Sequence, residues 1–194
     1  SCECTKDTDC INSNCIKMPA GSYCMPTVGD QFPQFKSLDQ FEDIVDIYDF
    51  SMNGKLILVE MATPWCAPCN VLANWLSYND EEIKSMIWWK PKYEKIYDLV
   101  HNNQIYFITI LYEDEFRDLP TYQTIYEWYS NYPDDNIPIL IDSNKLLHWW
   151  LKPAGIPAIT LLDENMKILA FTNRGLNTAF DKLLEITDEE KSKN

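Results

Sequence analysis

Two apolar runs stand out in the pattern of the chain. Leu56 to Ala62 and Ile105 to Tyr112 are apolar nearly throughout, as central strands covered on both faces should be. The first is preceded by the turn pair Asn53-Gly54, giving a strand over 55–62. Helical spacing follows Cys69 through Val71, Leu72, Trp75 and Leu76. Asn79-Asp80 predicts the cap of a second helix starting near Glu81, and 92–101 resumes the helical pattern after Pro91. Further helices are expected near 120–130, over 144–151 and over 176–187, with a short strand at 137–141. Two closing strands are read at Ile159–Asp163 and Lys167–Phe171. Residues 38–50 alternate acidic and apolar positions at helical spacing and predict an amphipathic helix or turn. Glu189 to Asn194 is a polar tail expected to fray. Alternating helices and strands that end in a hairpin predict an α/β fold, a three-layer sandwich around a mixed sheet.

The chemistry lies in Thr63-Pro-Trp-Cys-Ala-Pro-Cys69, directly after the first run. Cys66 and Cys69 can bridge only if they share one helical turn. Their place, at a strand end and a helix N-terminus, favours a thiolate through the helix dipole and unpaired N–H groups. That is the equipment of thiol–disulfide exchange. A zinc half-site and an inert bridge are the alternatives. Zinc wants four ligands, no second CxxC of suitable spacing follows, and His101 and His148 stand far apart. Trp65 and Pro68 make the motif more specific than a bare CxxC, which favours the redox reading.

The Trp-Cys-Ala-Pro-Cys motif after a β-run resembles the thioredoxin superfamily. Gly155-Ile-Pro-Ala158 before the closing strands resembles that superfamily's cis-proline element, which packs against the CxxC. Val28-Gly-Asp-Gln-Phe-Pro-Gln-Phe35 is similar to the opening of the TlpA/ResA-like extracytoplasmic oxidoreductases, also shared with peroxiredoxins, which carry their cysteine in another context. The resemblance spans about residues 27–186. Three positions depart from it: Asn70 where a Lys is common, Ala158 where a Thr is usual, and Glu60 where relatives have Asp or Asn.

The resemblance implies a mechanism. Cys66 attacks a substrate disulfide and Cys69 resolves the mixed disulfide. Pro157 shapes the surface beside Cys66, Ile156 offers its backbone to an extended substrate strand, and Trp65 and Pro68 flank the contact. Glu60, on a buried strand, would have a raised pKa and take the proton of Cys69; the alternative is an exposed glutamate, or one paired with Lys55 or Lys167. Ala67-Pro68 supplies no basic group to stabilise the Cys66 thiolate, so the reducing direction is favoured. The expected partners are protein disulfides or dithiols and a membrane thiol electron donor. No cofactor beyond the Cys66–Cys69 couple and no metal is expected. A binding or adaptor protein that keeps the fold, or a disulfide oxidase or isomerase, is the competing function.

Composition narrows the setting. The 194 residues allow one domain with an appendage, and 46% hydrophobic content makes it globular. The net charge of −14 argues against nucleic acid and anionic lipid as partners, and is read as solubility rather than an acidic docking face. No apolar stretch reaches the ~20 residues of a membrane span.

Five of the seven cysteines, Cys2, Cys4, Cys10, Cys15 and Cys24, fall in a polar segment that needs staples. Their density implies an oxidising compartment, and the resemblance to TlpA/ResA-like extracytoplasmic oxidoreductases implies a periplasmic or cell-envelope one. Their spacing fits a zinc knuckle poorly. Two disulfides are expected among Cys4, Cys10, Cys15 and Cys24, in any of three pairings. Cys2 stands where a bacterial lipoprotein carries its lipid and is read as a possible anchor; a free thiol or intermolecular bridge is the alternative. Ser1-Cys2 is read as the start of a trimmed or mature chain. The domains expected are 1–26, cysteine-rich; 27–188, thioredoxin-like; and the tail 189–194.

Overall fold

A computed structural model describes residues 4–11, 13–18 and 21–192. Cys2, and with it the proposed lipid site, lies outside them. A central six-stranded sheet runs β10-β8-β5-β6-β7, with β9 also on β8. These strands are β5 (Ile57–Ala62), β6 (Tyr106–Leu111), β7 (Ile139–Ile141), β8 (Gly155–Leu162), β9 (Ile168–Ala170) and β10 (Arg174–Gly175). β5, β6 and β7 are parallel, β8 is antiparallel to β5 and β9, and β10 lies parallel to β8. The two apolar runs are therefore neighbours at the middle of the sheet.

Side-chain alternation sorts the core into two faces. Leu58, Ala62, Phe107 and Leu111 face α1 (Ala67–Tyr78), α2 (Glu94–His101), α3 (Tyr122–Asn131) and α5 (Asn177–Ser192). Ile57, Val59, Met61, Ile108 and Ile110 face α4 (Leu146–Leu151) and a strap through Phe32, Phe35 and Ile47. On the first face an edge-to-face aromatic series runs Trp75–Trp89–Tyr93–Phe180, tying α1 to α5. Trp88 and Trp89, in edge contact with each other, are half-buried and pack against this core.

Four expectations need correction or narrowing. Of the helix or turn expected over 38–50, the helix is absent and turns are present: β3 (Lys36–Leu38) pairs antiparallel with β4 (Ile44–Asp46), followed by a 3-10 turn at Ile47–Phe50. The acidic residues make turns: Asp39 accepts from the N–H groups of Phe41 and Asp43, and Asp46 from that of Tyr48. The segment from Glu81 is a 3-10 turn ending at Ser85, although Asp80 caps it as expected, accepting from Glu82 N–H. β8 starts at Gly155, four residues early, because β10 pairs with its first half. The final helix runs to Ser192, so residues 189–192 of the expected fraying tail are helical.

The front segment forms a hairpin of β1 (Asn14–Met18) and β2 (Gly21–Met25). Cys4–Cys15 and Cys10–Cys24 staple it, resolving the open pairing. Asn14 donates to Thr27 Oγ1 and Asp30, and Lys152, just past α4, donates to the Cys24 carbonyl. These bonds hold the hairpin on the larger unit.

Phe180 is fully buried against Tyr93. Phe180→Ala should lower stability by about 3–5 kcal/mol. Equilibrium urea unfolding of the oxidised protein measures this, and a loss below ~1 kcal/mol would contradict the packing described.

Candidate functional site

β5 ends at Ala62 and the chain turns through Thr63-Pro64-Trp65 into α1. Cys66 is the N-cap of that helix, and its Sγ accepts the backbone N–H of Cys69 at 3.2 Å. The helix thus supplies from its own first turn a donor to the Cys66 sulfur, which would favour the thiolate over the thiol. Pro68 costs little here, because the first-turn N–H groups have no intrahelical partner. Cys66 and Cys69 are joined as a disulfide. Cys66 retains 4% of its surface and Cys69 none, the order expected of attacking and resolving thiols.

The Ile156–Pro157 peptide is cis. Ile156 packs against the cluster holding Cys66, Cys69, Ala62 and Leu111, beside Trp65. Ala158 pairs with Met61 of β5, so the proline turn lies at the sheet end from which α1 departs. Trp65, Ile156 and Pro157 therefore gather around the bridge.

Glu60 is buried, with 1% of its surface exposed. It shares the face of Leu58 and Ala62, the face that α1 covers. Thr109 sits directly opposite it on β6 and donates from Oγ1 to Glu60 Oε2 at 3.0 Å. Glu60 Oε1 has no hydrogen-bond partner among the described residues. Burial pushes the carboxyl up to about 8, against the Thr109 bond, which favours the charged form. The exposed reading of Glu60 is excluded. The paired reading is not met either: Lys55 bonds Asn103 instead.

A second group surrounds Trp65. Its Nε1 donates to Glu113 Oε2 at 3.0 Å, and Lys145 donates to Glu113 Oε1 at 2.7 Å. The Arg117 guanidinium lies over the indole, 4.0 Å from a ring centroid. Thr109, Glu113, Arg117 and Lys145 were not singled out from sequence. The acidic run Glu113-Asp-Glu115 at a central strand's end was the available signal for one of them, and a lone Thr in an apolar strand the signal for another.

No protein-family model matches the chain, and no curated protein is similar to it. Solved structures do share its fold. The thioredoxin domain of a thiol-disulfide oxidoreductase from Bacteroides vulgatus superposes with a TM-score of 0.56 at 16% identity, over 84% of this chain and 96% of that one. A thiol:disulfide interchange protein from a Bacteroides species gives 0.56 at 17%, over 84% and 91%. An exposed lipoprotein thioredoxin of Streptococcus pneumoniae gives 0.54 at 16%, over 81% and 99%. The chain therefore has a thioredoxin-like fold, as its motifs implied.

The buried carboxyl has a consequence for stability. Its folded value of about 8 exceeds the 4.5 of a free glutamate, so between these values the unfolded chain has released a proton that the folded one keeps. Stability then falls as pH rises through that window, by up to ~1.4 kcal/mol per unit. Glu60→Gln should remove this contribution. Urea titrations of both oxidised proteins at pH 5, 6, 7 and 8 should show the variant's advantage growing with pH, and parallel curves would refute the shift.

Proposed function

We propose that this chain is a thiol–disulfide oxidoreductase that exchanges disulfides with protein substrates through Cys66 and Cys69. The observation that carries the reading is the Cys66–Cys69 bridge at the N-terminus of α1, with the Cys69 N–H aimed at Cys66 Sγ. The fold it shares with thiol–disulfide oxidoreductases supports the assignment.

In the reducing direction the Cys66 thiolate attacks one sulfur of a substrate disulfide. The other substrate sulfur leaves as a thiolate, and a mixed disulfide forms. The ionised fraction of Glu60, which grows as pH rises toward 8, takes the Cys69 proton; Cys69 then attacks Cys66 Sγ, closes the internal bridge and releases the second substrate thiolate. Trp65, Pro68 and Ile156 form the contact surface, with the Ile156 backbone pairing an extended substrate beside Pro157. The reducing direction is favoured because Ala67-Pro68 adds no charge to hold the thiolate. Each turnover then requires two electrons, which a membrane thiol donor would return.

The stapled front hairpin fits an extracytoplasmic, oxidising setting, periplasmic or at the cell envelope. A lipid on Cys2 would tether the protein there.

Cys66→Ser should abolish reduction of a peptide disulfide, while Cys69→Ser should accumulate a mixed disulfide visible by intact mass. Full turnover in Cys66→Ser would overturn the assignment. A Cys66–Cys69 reduction potential near or below about −230 mV would support the reducing direction, and one near about −120 mV would reverse it.

A further inference from the structure

A buried carboxyl that accepts a proton in each turnover must also return it to solvent. Glu60 has almost no surface of its own through which to do so. We propose that Thr109 is a positioning residue that fixes Glu60 beside the resolving thiol and connects it, through one water in the cleft between α1 and α3, to the Asp134–His101 pair. This rests on the reading of Glu60 as the acceptor of the Cys69 proton.

Three observations place these groups in series. First, Thr109 is 3% exposed, sits opposite Glu60 in the β5–β6 register and bonds it at 3.0 Å. Second, Thr109 lines a cleft whose other walls include Ser77 of α1, Trp128 of α3, Tyr132 at its C-cap, and Asp134. The cleft has room for about one water. Third, the cleft ends at a proton-bearing contact: His101 Nε2 lies 2.8 Å from Asp134 Oδ2, and Nδ1 lies 2.8 Å from the Tyr97 carbonyl. A nitrogen facing a carbonyl must donate, so any proton between Nε2 and Oδ2 is additional to that one. The Asp134 and His101 side chains are 7% and 24% exposed, which puts the pair at the solvent boundary.

The transfer needs no redox partner. The Cys69 S–H proton passes to a Glu60 oxygen as the sulfur's electron pair turns to Cys66 Sγ. The protonated carboxyl then donates to Thr109 Oγ1, whose own proton passes to the cleft water and on to Asp134. Only O–H bonds are exchanged after the first transfer, and the hydroxyl ends as it began. The titratable groups around Glu60 and its route are Cys66 and Cys69 from α1, Tyr132 from the C-cap of α3, and Asp134 with His101 at the exit. β8 presents Ile159 opposite Glu60 and adds no charge. Burial also raises the Glu60 carboxyl, which keeps the accepted proton in place until the route carries it away.

The test compares wild type, Glu60→Gln, Thr109→Val and Thr109→Ser, each pre-reduced, in stopped-flow resolution of a mixed disulfide with a peptide from pH 5.5 to 9. Thr109→Val removes the hydroxyl at constant shape and should slow resolution at pH 7 by about tenfold, with the loss recovered toward pH 9. Thr109→Ser should restore the wild-type rate within a factor of about three. A Glu60→Gln rate equal to wild type would defeat the acceptor reading itself. A slow Glu60→Gln with Thr109→Val at the wild-type rate and pH profile would overturn the relay alone. Should Thr109→Val fail to fold, Asp134→Asn decides at the other end of the route: severalfold slower resolution supports it and an unchanged rate overturns it.

Discussion

Cys66 closes the turn that follows β5 and caps α1 in the same residue. Its sulfur accepts the N–H of Cys69, its carbonyl accepts that of Asn70, and its own N–H donates to the Thr63 carbonyl. The sulfur is thus held by backbone that the helix would otherwise leave unsatisfied. This geometry depends on β5 being buried on both faces, because only a strand fixed between β6 and β8 can deliver Thr63 to one place. The core of the sheet exists to aim that turn. The cis-proline turn comes to the same end of the sheet because β8 runs antiparallel to β5 and begins where β5 finishes.

Against this rigid frame β5 carries an inconsistency. A carboxyl sits where apolar side chains fill every neighbouring position of the strand. A single threonine, recruited from the adjacent strand, satisfies one of its oxygens, and the other has no partner among the described residues. A fold selected for stability alone would place an apolar residue there. The cost falls on the sheet face that α1 covers, where an acid–base group would have chemical use in the proposed exchange.

The central strands, the catalytic turn and the proline turn were legible in the sequence because each leaves a one-dimensional trace. Burial on both faces demands an unbroken apolar run, and a CxxC must share one helical turn. Residues 38–50 misled because Asp39 and Asp46 sit at helical spacing from apolar neighbours, yet their carboxylates bind nearby backbone N–H groups and hold short turns. Spacing alone cannot separate those uses of aspartate. Thr109 and Glu113 left local signals, but their partners were not legible, for a different reason. Thr109 matters through a register with Glu60 that only the aligned sheet defines, and Glu113 through an indole 48 positions away. The two head bridges were expected, but their pairing was not, since three pairings have equal standing until the fold brings Cys4 to Cys15 and Cys10 to Cys24.

Arg117 gives the contact surface a property that no single residue lends it. Its guanidinium covers one face of Trp65, an interaction worth ~0.5–1 kcal/mol at an exposed site. The loop that carries it is braced by Asp114, which accepts from the N–H groups of Phe116 and Asp118. The chain therefore keeps a competitor tethered over its own indole. In the proposed exchange with protein substrates, a polypeptide would gain that face only by displacing a cation already in place, and its cationic or aromatic side chains would be the ones able to exchange with the arginine. Selection among partners would then begin before any sulfur is touched.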